Sequence, residues 1–305
     1  MRPSSENWKK RSTDAAGCVR SIGTASVYSF ATYCSFAESM HEILKTLPAG
    51  SRVLDLGCAE GSFPEEATLA SIVRVDREAP GDRSGGTPFV QADAATLPFA
   101  DRTFAAVISN HSLEHFDNLA GALQEIGRVI SPGGSLFVAV PDASTLTDKL
   151  YRWLAGGGGH VNAFTSPAET AAAIEQATGL PHVATRLLCS SLSFLNRRNA
   201  PRPPRRVLLL GAGYEWSLFL YAWLSRQLDA RLSTRTSIYG WAFYFGSIVE
   251  PIDTETWVNV CIRCGSGCSS SSLTKQALVR SSFPGVRIFR CPECGAANPF
   301  ADDLF

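Results

Sequence analysis

The chain has 305 residues, 45% of them apolar and 18% charged, which allows one large soluble domain plus a small one. Twenty-eight basic residues balance 28 acidic ones, so nothing draws the whole molecule towards nucleic acid or an anionic membrane. Nine cysteines, four scattered and five after residue 260, exclude a disulfide scaffold, and the polar start MRPSSENWKKRSTDAAG lacks the apolar core of a secretory signal, so a cytoplasmic location is expected.

Residues 1–47 begin polar and become helical, with Phe36, Met40, Ile43 and Leu44 on one face before Pro48 and Gly50 end the helix. Strands and helices then alternate. RVLDLG (52–57) is a strand, a helix is expected from about Ser62, and SIVRVD (71–76) is a second strand. After a Gly- and Pro-rich loop come the strands PFVQAD and FAAVISN, then a helix from about Asp117 carrying Leu119, Leu123, Ile126 and Ile130. SPGG is expected to stop that helix, and SLFVAVP is the next strand. Helix-sized connections between strands predict an α/β fold: a doubly wound, mostly parallel sheet covered on both faces.

Further on, Ser166, Glu169, Pro167 and Gly179 punctuate a helix as capping box, first helical residue and exit. HVATRLLCSSLSF and SIYGWAFYFGSIV read as strands, separated by an apolar insertion over about 197–235. Within it, VLLLGAGYEWSLFLYAWL (207–224) has Glu215 as its single charge, preceded by arginines. Two glycines and the mid-run glutamate favour a buried or homodimer-forming helix over peripheral contact with a membrane surface, which keeps a membrane-associated location open. GGGGH (156–160) and SGCSSSSL (266–273) read as loops.

The chemistry concentrates in three places. VLDLGCAEG places Gly57 and Gly61 in a turn that lets backbone approach a nucleotide, Asp76 closes the second strand, and Asp93 closes the third. The spacing is G-x-x-x-G with Glu60 and Glu65 nearby; a pyrophosphate would be repelled there, whereas a sulfonium cofactor without phosphate is tolerated. The order VLDLGCAEG, VRVD, ADAATLPFADRTFAAVISNHSLEH, ISPGGSLFVAVP resembles the class I S-adenosylmethionine-dependent methyltransferases, strongly over about 45–145 and loosely to about 250, so residues 48–250 are expected to be that domain. The resemblance implies a cofactor site at Asp55, Gly57, Cys58, Ala59, Gly61, Asp76, Asp93 and Ala94, with Asn110 and His111 beside it. Ala59 stands where the family often has a third glycine.

In the same fold, SNHSLEHF (109–116) faces the transferred methyl group. His115 is a candidate base or a brace of its loop, and His160 is a candidate lid residue or part of a simple connection. No Asn/Asp-Pro-Pro-aromatic tetrapeptide occupies the fourth strand end, which favours an oxygen or carbon acceptor on a small molecule, glycan or lipid-linked precursor.

The third place is the cysteine end. Cys261, Cys264, Cys291 and Cys294 form two C-x-x-C pairs, each followed by glycine, so residues 251–305 resemble a zinc ribbon with a structural Zn2+; a redox dithiol is the rival. Arg263, Lys275, Arg280, Arg287 and Arg290 keep a nucleic-acid partner, and so an RNA or protein methyltransferase, as alternatives. A non-catalytic cofactor-binding interaction module is the reading outside enzymes.

Overall fold

The structure is a computed structural model describing residues 41–59, 61–63, 65, 68–79, 87–154, 159–198, 213–249, 251–252, 254–283 and 286–302. The segment before residue 41, Glu60, residues 155–158 of the glycine run, and residues 199–212, with the first part of the apolar run, lie outside the described residues.

Seven strands form one sheet: β1 (Arg52–Leu56), β2 (Ser71–Asp76), β3 (Phe89–Gln91), β4 (Phe104–Asn110), β5 (Ile130–Pro141), β6 (His182–Cys189) and β7 (Ile238–Gly246). Their order is β3-β2-β1-β4-β5-β7-β6. The first five run parallel, and β7 is antiparallel to both β5 and β6. The chain leaves β1 towards β2 on one side and later returns to β4 on the other. That reversal opens a crevice beyond the carboxyl ends of β1 and β4, where open α/β sheets bind ligands.

Alternation along each strand assigns side chains to two faces. Leu54, Leu56, Val107, Leu136, Val138, Trp241 and Phe243 pack beneath α2 (Leu119–Val129) and α4 (Pro167–Thr178) through Leu123, Ile126, Ala171 and Ile174. Gly127 lets these helices approach closely, because a Cβ there would lie 2.6 Å from the Thr178 carbonyl oxygen. Val53, Ala106, Ile108, Phe137, Ala139 and Tyr244 point to the other face, covered by Ile43 and Leu44 of α1 (His41–Thr46) and by Phe63. Central strands buried on both faces read as near-continuous apolar runs, as RVLDL and FAAVIS do.

The cap signals around α4 act as expected. Ser166 Oγ accepts from Glu169 N at 3.3 Å, Pro167 begins the helix, and Gly179 leaves it at φ 71°. Asn118 Oδ1 caps α2 by accepting from Gly121 N at 3.0 Å.

The helix expected from about Ser62 falls partly on residues outside the described ones: Ser62 and Phe63 form a bend, Glu65 is in a 3-10 turn, and Phe63 packs on the sheet face. Two local expectations differ. SPGG does not stop α2 ahead of a strand but lies inside β5: pairing jumps from Phe104 with Ile130 to Ala106 with Ser135, a bulge that absorbs the two glycines. The serine run forms a short helix, α6 (Ser270–Lys275), because Ser269 Oγ accepts from Ser272 N at 3.1 Å.

The remaining helices are α3 (Leu146–Leu154) and α5 (Glu215–Leu232). The chain then builds a small antiparallel sheet in the order β10-β9-β8, from β8 (Val279–Phe283), β9 (Val286–Arg290) and β10 (Ala297–Pro299).

Candidate active site

The turn after β1 is fixed from three directions. Gly57 N and Cys58 N donate to Val75 O at 2.8 and 3.1 Å, tying the turn to the end of β2. Asp55 Oδ2, wholly buried, accepts from Ser62 N at 2.8 Å and lies 3.7 Å from Arg74 Nε. Ser112 Oγ donates to Leu56 O at 3.0 Å. Gly57 sits at φ 67°, and a Cβ there would come within 2.4 Å of the Ser112 Cβ, so both backbone conformation and space demand glycine. Ala59 also adopts positive φ, 44°, and its N–H donates to Asp76 Oδ2 at 2.8 Å. Burial pushes the Asp55 carboxyl and the Cys58 thiol above their ordinary ranges, so the thiol is a packing group rather than a nucleophile.

Asp76 ends β2, Asn110 ends β4, and Asp93 follows β3, with β1 between β2 and β4. Asp76 Oδ1 accepts from Glu78 N at 3.0 Å, and Asp93 Oδ1 accepts from Ala95 N at 2.8 Å with Ala94 buried between them. Both side chains are thereby oriented while lone pairs remain for a ligand. Asn110 Oδ1 and Asp55 Oδ1 are buried without a hydrogen-bond partner among the described residues. Two orphaned acceptors lie beside a turn whose Gly57 has no room for a Cβ. Such acceptors fit a cationic, hydroxyl-bearing molecule, as S-adenosylmethionine is.

Above this crevice lies a second group. His111, at φ 51°, places Nδ1 3.6 Å from Glu114 Oε1, and its ring stacks at 5.1 Å from Tyr239. The rings of His115 and His160 meet edge to face at 4.9 Å. His115 Nδ1 lies 3.1 Å from Gly159 O, and His160 Nδ1 lies 3.5 Å from Asp148 Oδ1. Burial pushes His160 down to about 4, and burial raises Asp148 and Tyr239. His160 is therefore neutral at pH 7. Glu114, within SNHSLEHF, is not marked by the sequence as a functional group, and neither are Asp148 and Tyr239, which join the site through contacts distant in sequence.

The loop bearing His160 is clipped to the Leu113–His115 turn. Val161 N and Asn162 N donate to Glu114 O at 2.8 and 3.0 Å, and Asn162 Nδ2 donates to Leu113 O and Phe116 O at 2.9 and 2.8 Å. Gly159–Asn162 is thus a braced wall of the site.

At the far end, Cys261, Cys264, Cys291 and Cys294 bring their sulfurs within 4.8 Å of one another. Cys261–Cys294 and Cys264–Cys291 are each 3.6 Å apart, too far for a disulfide. Arg263 N and Asn298 Nδ2 donate to Cys261 Sγ at 3.4 and 3.6 Å, and hydrogen bonds from the other three thiols hold Cys261 well below the usual thiol range. Four soft sulfur donors this close together fit zinc, which takes four such ligands. Cys268 is not among the four.

The cysteine module is packed on α5. Arg226, buried, donates to Pro299 O and Val260 O at 2.6 and 3.2 Å, and Arg263 grips Glu215 through two bonds of 2.7 and 2.9 Å, holding that carboxyl below the usual range. The lone acid of the apolar run therefore anchors the module. Trp216, Leu220, Leu224, Leu228 and Leu232 form an exposed row on the opposite side of α5. Among the described residues no helix is long and apolar enough to cross a membrane.

Comparison with known proteins finds a family match and several relatives. Residues 30–181 match the family described as a methyltransferase domain. The chain is 33% identical over 117 residues to a demethylmenaquinone methyltransferase of Corynebacterium kroppenstedtii, covering 34% of this chain and 51% of that one. It is 31% identical over 169 residues to a malonyl-[acyl-carrier protein] O-methyltransferase of Methylococcus capsulatus, covering 48% and 59%. A methyltransferase structure from Archaeoglobus fulgidus superposes with a TM-score of 0.48 at 18% identity, covering 69% of this chain and 92% of that one. The chain thus spans half to three fifths of the two curated relatives. The strand order and the family match make this a class I S-adenosylmethionine-dependent methyltransferase domain.

Proposed function

We propose that the chain transfers the methyl group of S-adenosylmethionine to an oxygen of a small-molecule, glycan or lipid-linked acceptor. The observation that carries this reading is the pairing of the cradle at Asp55, Gly57, Asp76, Asp93 and Asn110 with the polar cluster of His111, Glu114, His115 and His160, in which Glu114 is buried and His115 is exposed. The cofactor, when bound, supplies an electrophilic methyl on a sulfonium. Asp76 and Asp93, at the ends of β2 and β3, would hold its ribose and adenine, and the Gly57–Gly61 turn its amino-acid portion.

His115 and His160 are the groups assigned to orient the acceptor hydroxyl and help remove its proton. A neutral imidazole at His160 suits that work, and the bonds between the Leu113–His115 turn and the loop bearing His160 fix its position. The similarity to an O-methyltransferase supports an oxygen acceptor. The basic residues of the cysteine module give RNA less support: Arg263 is paired with Glu215 and Arg287 with Asp302. The module's zinc is proposed as structural, because four thiolates leave no open coordination position.

Calorimetric titration with S-adenosylmethionine, set beside Asp76→Ala, tests the reading. Micromolar binding that the variant loses supports it and justifies screening hydroxyl-bearing acceptors for turnover. A folded protein that does not bind the cofactor refutes it.

A further inference from the structure

We propose that Glu114, His115 and His160 form a second metal site, distinct from the four cysteines, that holds a divalent transition-metal ion with an open position for the acceptor oxygen. The proposal rests on the reading above for the identity of the fourth ligand and makes His115 and His160 ligands that hold the acceptor oxygen through the ion, in place of direct proton removal by their imidazoles.

One potential ligand atom from each of the three side chains lies within 4.8 Å of the others. Two imidazoles and one carboxylate form a donor set that suits Zn2+ and its neighbours and leaves coordination positions open. The carboxylate is the decisive member. Glu114 is 1% exposed, and its Oε2 is buried without a hydrogen-bond partner among the described residues. A buried carboxylate oxygen with no donor is costly unless a cation or a donor reaches it. A metal ion between Glu114 and the two histidines supplies that cation.

The surrounding atoms already do what metal sites require of them. His115 Nδ1 faces the Gly159 carbonyl oxygen at 3.1 Å, and His160 Nδ1 faces Asp148 Oδ1 at 3.5 Å. An oxygen behind one ring nitrogen orients the imidazole and directs the opposite nitrogen to the metal. The turn carrying Glu114 and His115 is held to the loop carrying His160 by the bonds from Val161 N and Asn162 to Glu114 O, Leu113 O and Phe116 O. The donors are therefore held in place before any ion arrives. Asp148 is in turn fixed by Arg152, whose Nε lies 2.7 Å from its Oδ2.

Such an ion would act as a Lewis acid on the acceptor. When the hydroxyl oxygen binds it, the O–H bond breaks, its electron pair stays on the oxygen, and the proton leaves to solvent at the exposed His115 edge.

The test is metal stoichiometry on the full chain, read independently of turnover. The protein is loaded with Zn2+, dialysed, and its metal content measured for wild type, His115→Ala, His160→Ala and Glu114→Gln. Two equivalents in wild type and one in each variant support the proposal. Co2+ substitution separates the sites: the variants should keep thiolate-to-cobalt charge transfer and lose the weaker bands of the nitrogen–oxygen site. Asp148→Asn, which leaves all three ligands in place, should weaken Zn2+ at the second site about 10- to 100-fold. One equivalent in wild type, unchanged in the variants, overturns the proposal. S-adenosylmethionine titration of the same samples keeps the two readings apart: a second equivalent without cofactor binding leaves the metal site standing and removes the proposed function, whereas cofactor binding with a single equivalent does the reverse.

Discussion

The crevice at the ends of β1 and β4 and the four-cysteine module both hold a few polar atoms in fixed positions, but by different means. In the crevice the work is done by a large core. Leu54, Val107, Leu136 and Phe243 beneath, with Val53, Ile108 and Phe137 above, fix the strands, and the turn needs only single hydrogen bonds to Val75, Asp76 and Ser112. The module has a far smaller apolar cluster, made of Leu273, Phe289, Ala296 and Phe300 around the sulfurs. A core of that size cannot offset chain entropy unaided, so docking to α5 and the ion proposed for the four sulfurs would have to supply the rest. Polar geometry can thus rest on buried area or on cross-links, and the two respond differently to perturbation.

The largest effect should come from the module. Chelation of its metal, or Cys291→Ser, should remove most of a contribution on the order of 10 kcal/mol and melt the module, read as loss of β-structure and new protease sensitivity. If the fold survives chelation unchanged, the apolar cluster suffices and the contrast fails. Next in size is the docking contact. Arg226→Leu leaves the Pro299 and Val260 carbonyl oxygens without their donor and should cost about 2–4 kcal/mol in denaturant unfolding.

Asp76→Ala should act on the crevice alone, weakening S-adenosylmethionine about 10- to 100-fold while leaving the metal content unchanged. The smallest effect is acid sensitivity at the far end of α5. Burial works to raise Asp229, but hydrogen bonds from Ser237, Thr234 and Thr236 outweigh it and hold the carboxyl below its ordinary range. Its stabilisation is therefore fully present above the unfolded carboxylate pKa and lost as pH falls through the lower folded value. Asp229→Asn should cost on the order of 1 kcal/mol at pH 7 and flatten that part of the acid unfolding curve.

Much of the fold is legible in the sequence because its signals are local. VLDLGCAEG carries the strand and its glycine turn within a few residues, and the α4 caps fall at fixed offsets, whereas Asp55, which the resemblance places in the cofactor site, is a wholly buried brace that accepts from Ser62 N. Two C-x-x-C pairs likewise announce a four-sulfur site. What escapes the sequence depends on partners far along the chain. The glycines of SPGG read as a stop until the jump in pairing between β4 and β5 turns them into a bulge. Asp148 joins His160, and Arg226 joins Val260 and Pro299, only once α3 and α5 are in place, and no periodicity marks either residue.

The grip of α5 on the cysteine module bears on how the molecule would respond to a protease. The border near residue 250 separates the sheet from the module along the chain, yet Ser191, Asn196, Glu215 and Arg226 all bond across it, to Cys261, Ile262, Arg263 and Val260. A single nick between Val249 and Thr254 would therefore cut the backbone without freeing either piece. The two fragments would travel together through gel filtration and unfold in one transition.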